Sequence, residues 1–224
     1  MKRLPWIGLA VSAAVLASCH RPADQAQAPA AAIPSGVERA GPIRWNTATG
    51  GFELNGKPLK AIKLWTFDGS TEGFTPVGSK IVPATGQGIA VTIVDPTIRS
   101  PKGLNVPGGQ YPLVLVRLTR TAAGAAWDGA LTYSTANHGE TIKFFGKPLS
   151  GADPAVGETT TLVYDMSHQT VGGPDWTQSR IDQIRLDIED KPGGAFVIRQ
   201  IAIAENPDPA ALALAGARAP AAKP

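Results

Sequence analysis

Between Trp176 and Glu205 the chain runs WTQSRIDQIRLDIEDKPGGAFVIRQIAIAE, and this stretch constrains the fold more than any other. Ile184, Leu186 and Ile188 alternate with Arg185 and Asp187, the two-residue period of a strand with one face buried. Val197, Ile201 and Ile203 repeat the period further on, while Phe196, Ile198 and the polar pair Arg199 and Gln200 break its phase and predict a bulge. Between the two runs, Lys191, Pro192, Gly193 and Gly194 combine restricted and permissive backbone, which is the chemistry of a reversal. The stretch therefore predicts two strands that close a β-sandwich as a hairpin.

Shorter strands precede it. Phe52-Glu53-Leu54, then Asn55-Gly56, then Lys57-Pro58-Leu59 carry the signal of a two-residue hairpin turn, with Pro58 confining its arm to a sheet edge. Further strands are expected at 61–67, 88–95, 113–120, 129–135, 141–145 and 159–166, each bounded by Gly, Pro, Asn or Asp. Roughly eight to ten short strands without helical crossovers fit an antiparallel two-sheet sandwich better than a parallel α/β sheet. The 25 glycines, the 20 prolines and the lack of any long 3.6-residue apolar period point the same way. The predicted fold class is all-β, one domain over 43–206.

The two ends differ in kind from this middle. Residues 1–18 open with Lys2 and Arg3, continue through an apolar run from Leu4 to Leu16 and end in small residues, the anatomy of a secretory signal. That run is too short for an ordinary membrane-spanning helix. Leu16-Ala17-Ser18-Cys19 resembles the lipobox of bacterial lipoproteins, which implies cleavage before Cys19 and a lipid anchor on it. The competing reading is an ordinary signal peptide with an incidental cysteine. As the only cysteine, Cys19 has no partner for an internal disulfide. His20 stands where the lipoproteins' inner-membrane retention signal would place Asp, so the resemblance implies attachment at the outer membrane of a bacterial cell envelope. Residues 19–42, rich in Ala and Pro, are expected to be a semi-extended tether, and 207–224 a disordered tail. Of the 21 Lys and Arg residues, Lys2 and Arg3 fall in the leader, which leaves 19 against 18 Asp and Glu. A nearly neutral remainder, with no basic run interleaved with aromatics, argues against nucleic acid as a partner.

Trp65-Thr66-Phe67-Asp68-Gly69 with Glu72-Gly73-Phe74, the strand 112–120, and Asp175-Trp176, Ile184-Arg185-Leu186-Asp187 and Gly193-Gly194 together resemble the galactose-binding-like jelly-roll domains found among carbohydrate-binding modules. The resemblance spans about 61–205 and implies a jelly-roll sandwich. It also implies a structural calcium between the first loop and the last strand, where Asp68, Glu72 and Glu205 are the candidate ligands. Calcium takes six to eight oxygens, so solvated turn carboxylates are the alternative reading of this trio.

Sugar rings present apolar faces that stack on aromatics, and hydroxyls that bond planar polar groups. Trp127, Tyr133 and Trp176 are the candidate platforms, Trp127 and Tyr133 ahead of Trp176, with Arg117, Arg185 and Asp187 as hydroxyl partners on an exposed strand face. Trp65, Phe67, Phe74 and Trp176 read as core. An ion pair, structural or solvated, is the competing reading of the polar trio. The sequence has no Gly-x-Ser-x-Gly elbow, no His-Glu-x-x-His and no phosphate-cradling glycine loop. His138 and Glu140 read either as an acid/base pair or as two solvated loop residues. Two functions remain open: a non-catalytic glycan-binding lipoprotein, or an assembly lipoprotein whose sandwich docks another envelope protein.

Overall fold

The computed structural model describes residues 37–84, 88–92, 97–149 and 153–218; the expected signal segment, Cys19 and the tether up to residue 36 lie outside the described residues. In chain order the first strands are β1 (Val37–Glu38), β2 (Ile43–Asn46), β3 (Gly51–Leu54), β4 (Lys57–Pro58), β5 (Ala61–Trp65), β6 (Thr75–Val77), β7 (Lys80–Pro83) and β8 (Ile89–Thr92). Then come β9 (Thr97–Arg99), β10 (Val106–Pro107), β11 (Leu113–Ala122), β12 (Trp127–Thr135), β13 (Phe145–Gly146) and β14 (Glu158–Asp165). A short helix α1 (Asp175–Gln178) precedes β15 (Arg180–Glu189) and β16 (Ala195–Ala204), and α2 (Pro209–Arg218) follows them.

These strands form an antiparallel jelly-roll sandwich. One sheet has seven strands in the order β1-β14-β11-β16-β8-β7, with β5 also on β16; the other has six in the order β13-β12-β15-β9-β6, with β10 also on β15. Among the described residues only β1, beside β14, runs parallel to its partner. The space between the sheets is filled by the inward phase of both: Val114, Val116, Leu118, Ile198, Ile201 and Ile203 from one, Leu131, Tyr133, Ile184, Leu186 and Ile188 from the other. Trp65, Phe67, Phe74 and Trp176 are buried in the same core, as their reading required.

The closing hairpin is corrected. β15 pairs with β12 and β9, whereas β16 pairs with β11, β8 and β5, so the Lys191–Gly194 reversal carries the chain from one sheet to the other. Both strands are ten residues long and internal to their sheets. Alternation reports which face a strand buries and says nothing of which strand lies beside it. The bulge is where the broken phase puts it: Arg117 pairs with Gln200 and Leu118 with Ile198, which leaves Arg199 as the extra residue. Asn55 and Gly56, at φ 50° and 80°, make the expected two-residue turn between β3 and β4. Of the strand expected at 141–145, only Phe145 is extended, because Thr141 instead closes a turn that accepts the Phe144 amide.

Both expected boundaries move outward. Val37 and Glu38 already pair with Glu158 and Thr159, so the described domain begins inside the expected tether. Pro209–Arg218, expected as disordered tail, is helical: Asp208 caps it by accepting the Ala211 amide at 2.9 Å, and Leu212 is buried. Leu212 joins a second apolar cluster with Ile43, Phe52, Leu54 and Leu59 over Leu113, Leu115, Val163, Ala202 and Ala204. The small sheet β2-β3-β4 and α2 thus lie on the outer face of the seven-stranded sheet. This explains why LVLV at 113–116 is apolar on both faces: each face meets its own core.

Candidate functional site

Among the described residues no second apolar cluster packs on the outer face of the six-stranded sheet, and its residues are polar because the strand phase puts them there. On β15 the inward set is Ile184, Leu186 and Ile188, so Arg185 and Asp187 point out. Register then aligns neighbours across the sheet. Thr132 of β12 pairs with Phe145 on one side and Arg185 on the other, Arg185 with Arg99, and Arg99 with Thr75, so one transverse row crosses five strands. The adjacent row holds Ala130, Asp187, Thr97 and Val77. Over the β13 half of this surface lies a groove of about 370 Å³, walled by Asp128, Glu140, Thr141, Ile142, Phe145 and Lys147.

Its polar groups are held in a chain of ion pairs. Arg99 Nε donates to both oxygens of Glu140 at 2.7 and 2.8 Å, which raises the Arg99 pKa further. Arg185 Nη1 lies 3.8 Å from Glu140, and its Nη2 donates to Asp187 Oδ2 at 2.9 Å. Thr97 Oγ1 donates to the other Asp187 oxygen at 3.1 Å. Lys147 Nζ donates to the Asp128 carbonyl at 2.8 Å, pairs with the Asp128 carboxylate and stands 5.7 Å from the centre of the Phe145 ring. Two polar atoms of the floor, Thr132 Oγ1 and Arg185 Nε, have no hydrogen-bond partner among the described residues. Ile142 on the wall is 83% exposed, an apolar side chain facing solvent beside fixed planar donors and acceptors.

The structure brings together only part of the sequence-predicted set. Arg185 and Asp187 share the groove. Arg117 does not: it belongs to the seven-stranded sheet, where it donates to Glu38 and, at 3.0 Å, to Gln200. Tyr133 is fully buried in the phase of Leu131, edge-on to Trp176 at 4.9 Å, and offers no ring to a ligand. Trp127 turns to the core, its ring 6.1 Å from Phe196 and lying over Gly129, where an added Cβ would come within 2.9 Å of it. The groove's aromatic is Phe145 instead. Sequence reasoning missed Phe145, Lys147, Asp128, Thr132 and Arg99; the outward phase of β12 and β9 was the available signal.

His138 and Glu140 are not a pair either, since Glu140 binds Arg99 while His138 Nε2 lies 2.9 Å from Asp175 Oδ2. One Glu72 oxygen accepts the Thr66 and Phe67 amides at 3.1 and 2.5 Å, closing its own loop, and Glu205 pairs with Lys60 at 3.1 Å. Asp68, Glu72 and Glu205 are not gathered; the acidic group that lies within 4.8 Å of one another among the described residues is Asp128, Asp187 and Asp190, of which Asp128 is already paired with Lys147.

No protein-family model matches the chain, and no curated protein matches it. Solved structures similar to it include a non-crystalline cellulose specific carbohydrate-binding module, CBM28, at 14% identity and TM-score 0.42, covering 62% of this chain and 90% of that one. The N-terminal cellulose-binding domain of β-1,4-glucanase C from Cellulomonas fimi is similar at 16% identity and TM-score 0.35, covering 64% and 93%. CtCBM11 is similar at 14% identity and TM-score 0.30, covering 66% and 92%. These likenesses are of fold and carry no residue of the groove with them.

Proposed function

We propose that this protein is a non-catalytic glycan-binding lipoprotein of a bacterial cell envelope, anchored through Cys19, and that the groove on the six-stranded sheet receives the glycan. The observation that carries the reading is the transverse row: Thr132, Arg185 and Arg99 across neighbouring strands, with Glu140 bridging the two guanidinium groups and Asp187 accepting from Arg185. Planar donors and acceptors fixed on paired strands match vicinal hydroxyls at low entropic cost, because the ion pairs already hold them. Phe145 and Ile142 supply the apolar contact a sugar ring needs. Among the lining residues Asp128, Glu140, Asp187 and Asp190 outnumber Lys147 and Arg185, a balance that disfavours polyanions such as nucleic acid.

The test is titration of the isotopically labelled domain with soluble neutral oligosaccharides, cello-, xylo- and manno-hexaose, followed by amide shifts. Shifts confined to β12, β13, β15 and residues 139–142, and lost in Arg185→Ala, are expected. No shift with any sugar would overturn the glycan reading and move the assignment to a protein-docking sandwich. The anchor is tested separately: Cys19→Ala releases the protein from membranes or blocks its maturation, and an unmodified Cys19 in mature protein ends that part.

A further inference from the structure

The wall of the groove is carried on the connection from β12 to β13, residues 136–144, and one side chain ties this connection to the body of the domain. His138 stacks flat on Phe144, with ring centres 4.0 Å apart and planes 14° from parallel, and meets the buried Tyr133 edge-on at 5.3 Å. Its Nδ1 lies 2.9 Å from the Gly139 carbonyl and its Nε2 lies 2.9 Å from Asp175 Oδ2. A carbonyl oxygen only accepts, and so does an ionised carboxylate. A neutral imidazole has one N–H and would set a lone pair against one of these two oxygens. The imidazolium satisfies both.

The surroundings agree with this. Asp175 from α1 is the acid facing the ring. Tyr133 from β12 donates its hydroxyl to the same Asp175 oxygen at 2.8 Å, with Gln169 Oε1 3.0 Å away; burial and Asp175 both push the Tyr133 pKa up, so it remains a donor. Glu140, next but one in sequence, is held by Arg99 of β9 and does not compete for the ring. The residues just beyond His138 are those that wall the groove: Glu140, Thr141 and Ile142.

We propose that His138 is a positioning residue of the groove: in its doubly protonated form it pins 136–144 between Asp175 and Phe144, and losing a proton releases the wall that holds Glu140 and Ile142 in place. The inference rests on the glycan reading for its consequence but not for its mechanism. Histidine is the side chain whose ordinary titration falls between about pH 5 and about pH 8. An imidazole with one N–H fewer costs either the Gly139 carbonyl or Asp175 its His138 donor and loosens the wall. Ligand affinity then falls as pH rises.

Three measurements test it on the folded domain. Long-range proton–nitrogen spectra of wild type are expected to show both His138 nitrogens protonated at about pH 5, and hydrogen exchange of 136–144, corrected for its intrinsic pH dependence, is expected to quicken towards about pH 8. Affinity for whichever of the three hexaoses binds is expected to fall about tenfold over the same range, and to become flat with pH in His138→Gln. A neutral ring throughout, with exchange that does not change, overturns the proposal whether or not a sugar binds. PH-dependent exchange with no sugar bound at any pH keeps the latch and removes the glycan reading. Sugar binding that is equally pH-dependent in His138→Gln overturns the latch and keeps that reading.

Discussion

The two outer faces of this sandwich are finished differently. On the seven-stranded sheet the outward residues Leu113, Leu115, Val163, Ala202 and Ala204 are apolar, and the chain spends β2, β3, β4 and α2 on covering them. On the six-stranded sheet the outward residues Thr132, Arg185, Asp187, Thr97 and Arg99 are polar, and among the described residues no second apolar cluster packs over them. A sheet whose second face is apolar must bury it, and one whose second face is a network of fixed ion pairs can leave it to solvent. The proposed ligand binding is accordingly placed on the face where the chain's own residues satisfy one another and leave a groove.

The largest effect that would break this comparison lies on the covered face. Phe52 is buried there, edge-on to Trp45 at 5.2 Å. Phe52→Ala should lose about 3 to 5 kcal/mol of stability, read from denaturant unfolding, with no change in ligand affinity at the midpoint-independent plateau of binding. A loss below about 1 kcal/mol would mean that the small sheet and α2 are ornaments on the sandwich. Tyr133 gives the same test from inside. Tyr133→Ala should cost about 3 to 5 kcal/mol, and Tyr133→Phe about 1 to 2 kcal/mol, because Asp175 loses a buried donor. A Tyr133→Ala domain of unchanged stability that has lost ligand binding would restore the ring as a platform.

The open face should answer in the opposite currency. Arg185→Ala removes the link between Glu140 and Asp187 on a partly exposed surface, so its stability should fall by no more than about 1 kcal/mol while affinity for the ligand falls at least about tenfold. Calorimetric unfolding and titration on the same sample separate the two. An Arg185→Ala protein that unfolds several degrees lower and binds normally would make the row a structural brace.

These contrasts also mark how far the sequence reaches. The phase of Ile184, Leu186 and Ile188 sets Arg185 and Asp187 on one outward face without any structure, and the broken phase at Arg199 places the bulge. Phase also had Tyr133 facing inward with Leu131, so its burial was readable from two residues. What alternation does not carry is sheet membership. Arg117 and Arg185 have equivalent local patterns and lie in different sheets, and β15 and β16 read as partners though each pairs elsewhere. The groove depends on that missing level, since Asp128, Glu140, Lys147 and Arg185 come from four segments that meet only through the pairings of β12 with β13 and β15. Nor did composition favour a stable α2, whose Ala-rich sequence is anchored by the buried Leu212.

The smallest effect concerns the end of the covered face that the apolar layer does not reach. There β1 is held to β14 by Arg39, which pairs with Glu158 and donates through Nη2 at 2.8 Å, while Glu38 accepts from Arg117. Burial alone would raise the Glu158 pKa, but hydrogen bonds from Arg39 and from the Ala155 amide, with the Arg39 charge, outweigh it and leave the pKa lowered. A carboxylate whose folded value is lowered contributes stability that is present above its unfolded value and lost as pH falls through the folded one. The window therefore lies below the ordinary glutamate value of about 4.3. For a partly exposed pair the contribution should be about 0.5 to 1 kcal/mol, seen as quicker exchange of the Arg39 amide, which donates to Thr159 O at 2.8 Å. Glu158→Gln should show that quickening at neutral pH and no further change on acidification. The amides of β2 and β3, sealed by Phe52 and Leu54 rather than by charge, should keep their protection across the same range. If both groups loosen together, the ionic and apolar parts of the covered face are one cooperative unit, and the difference between a surface held by charge and one held by burial does not extend to its edge.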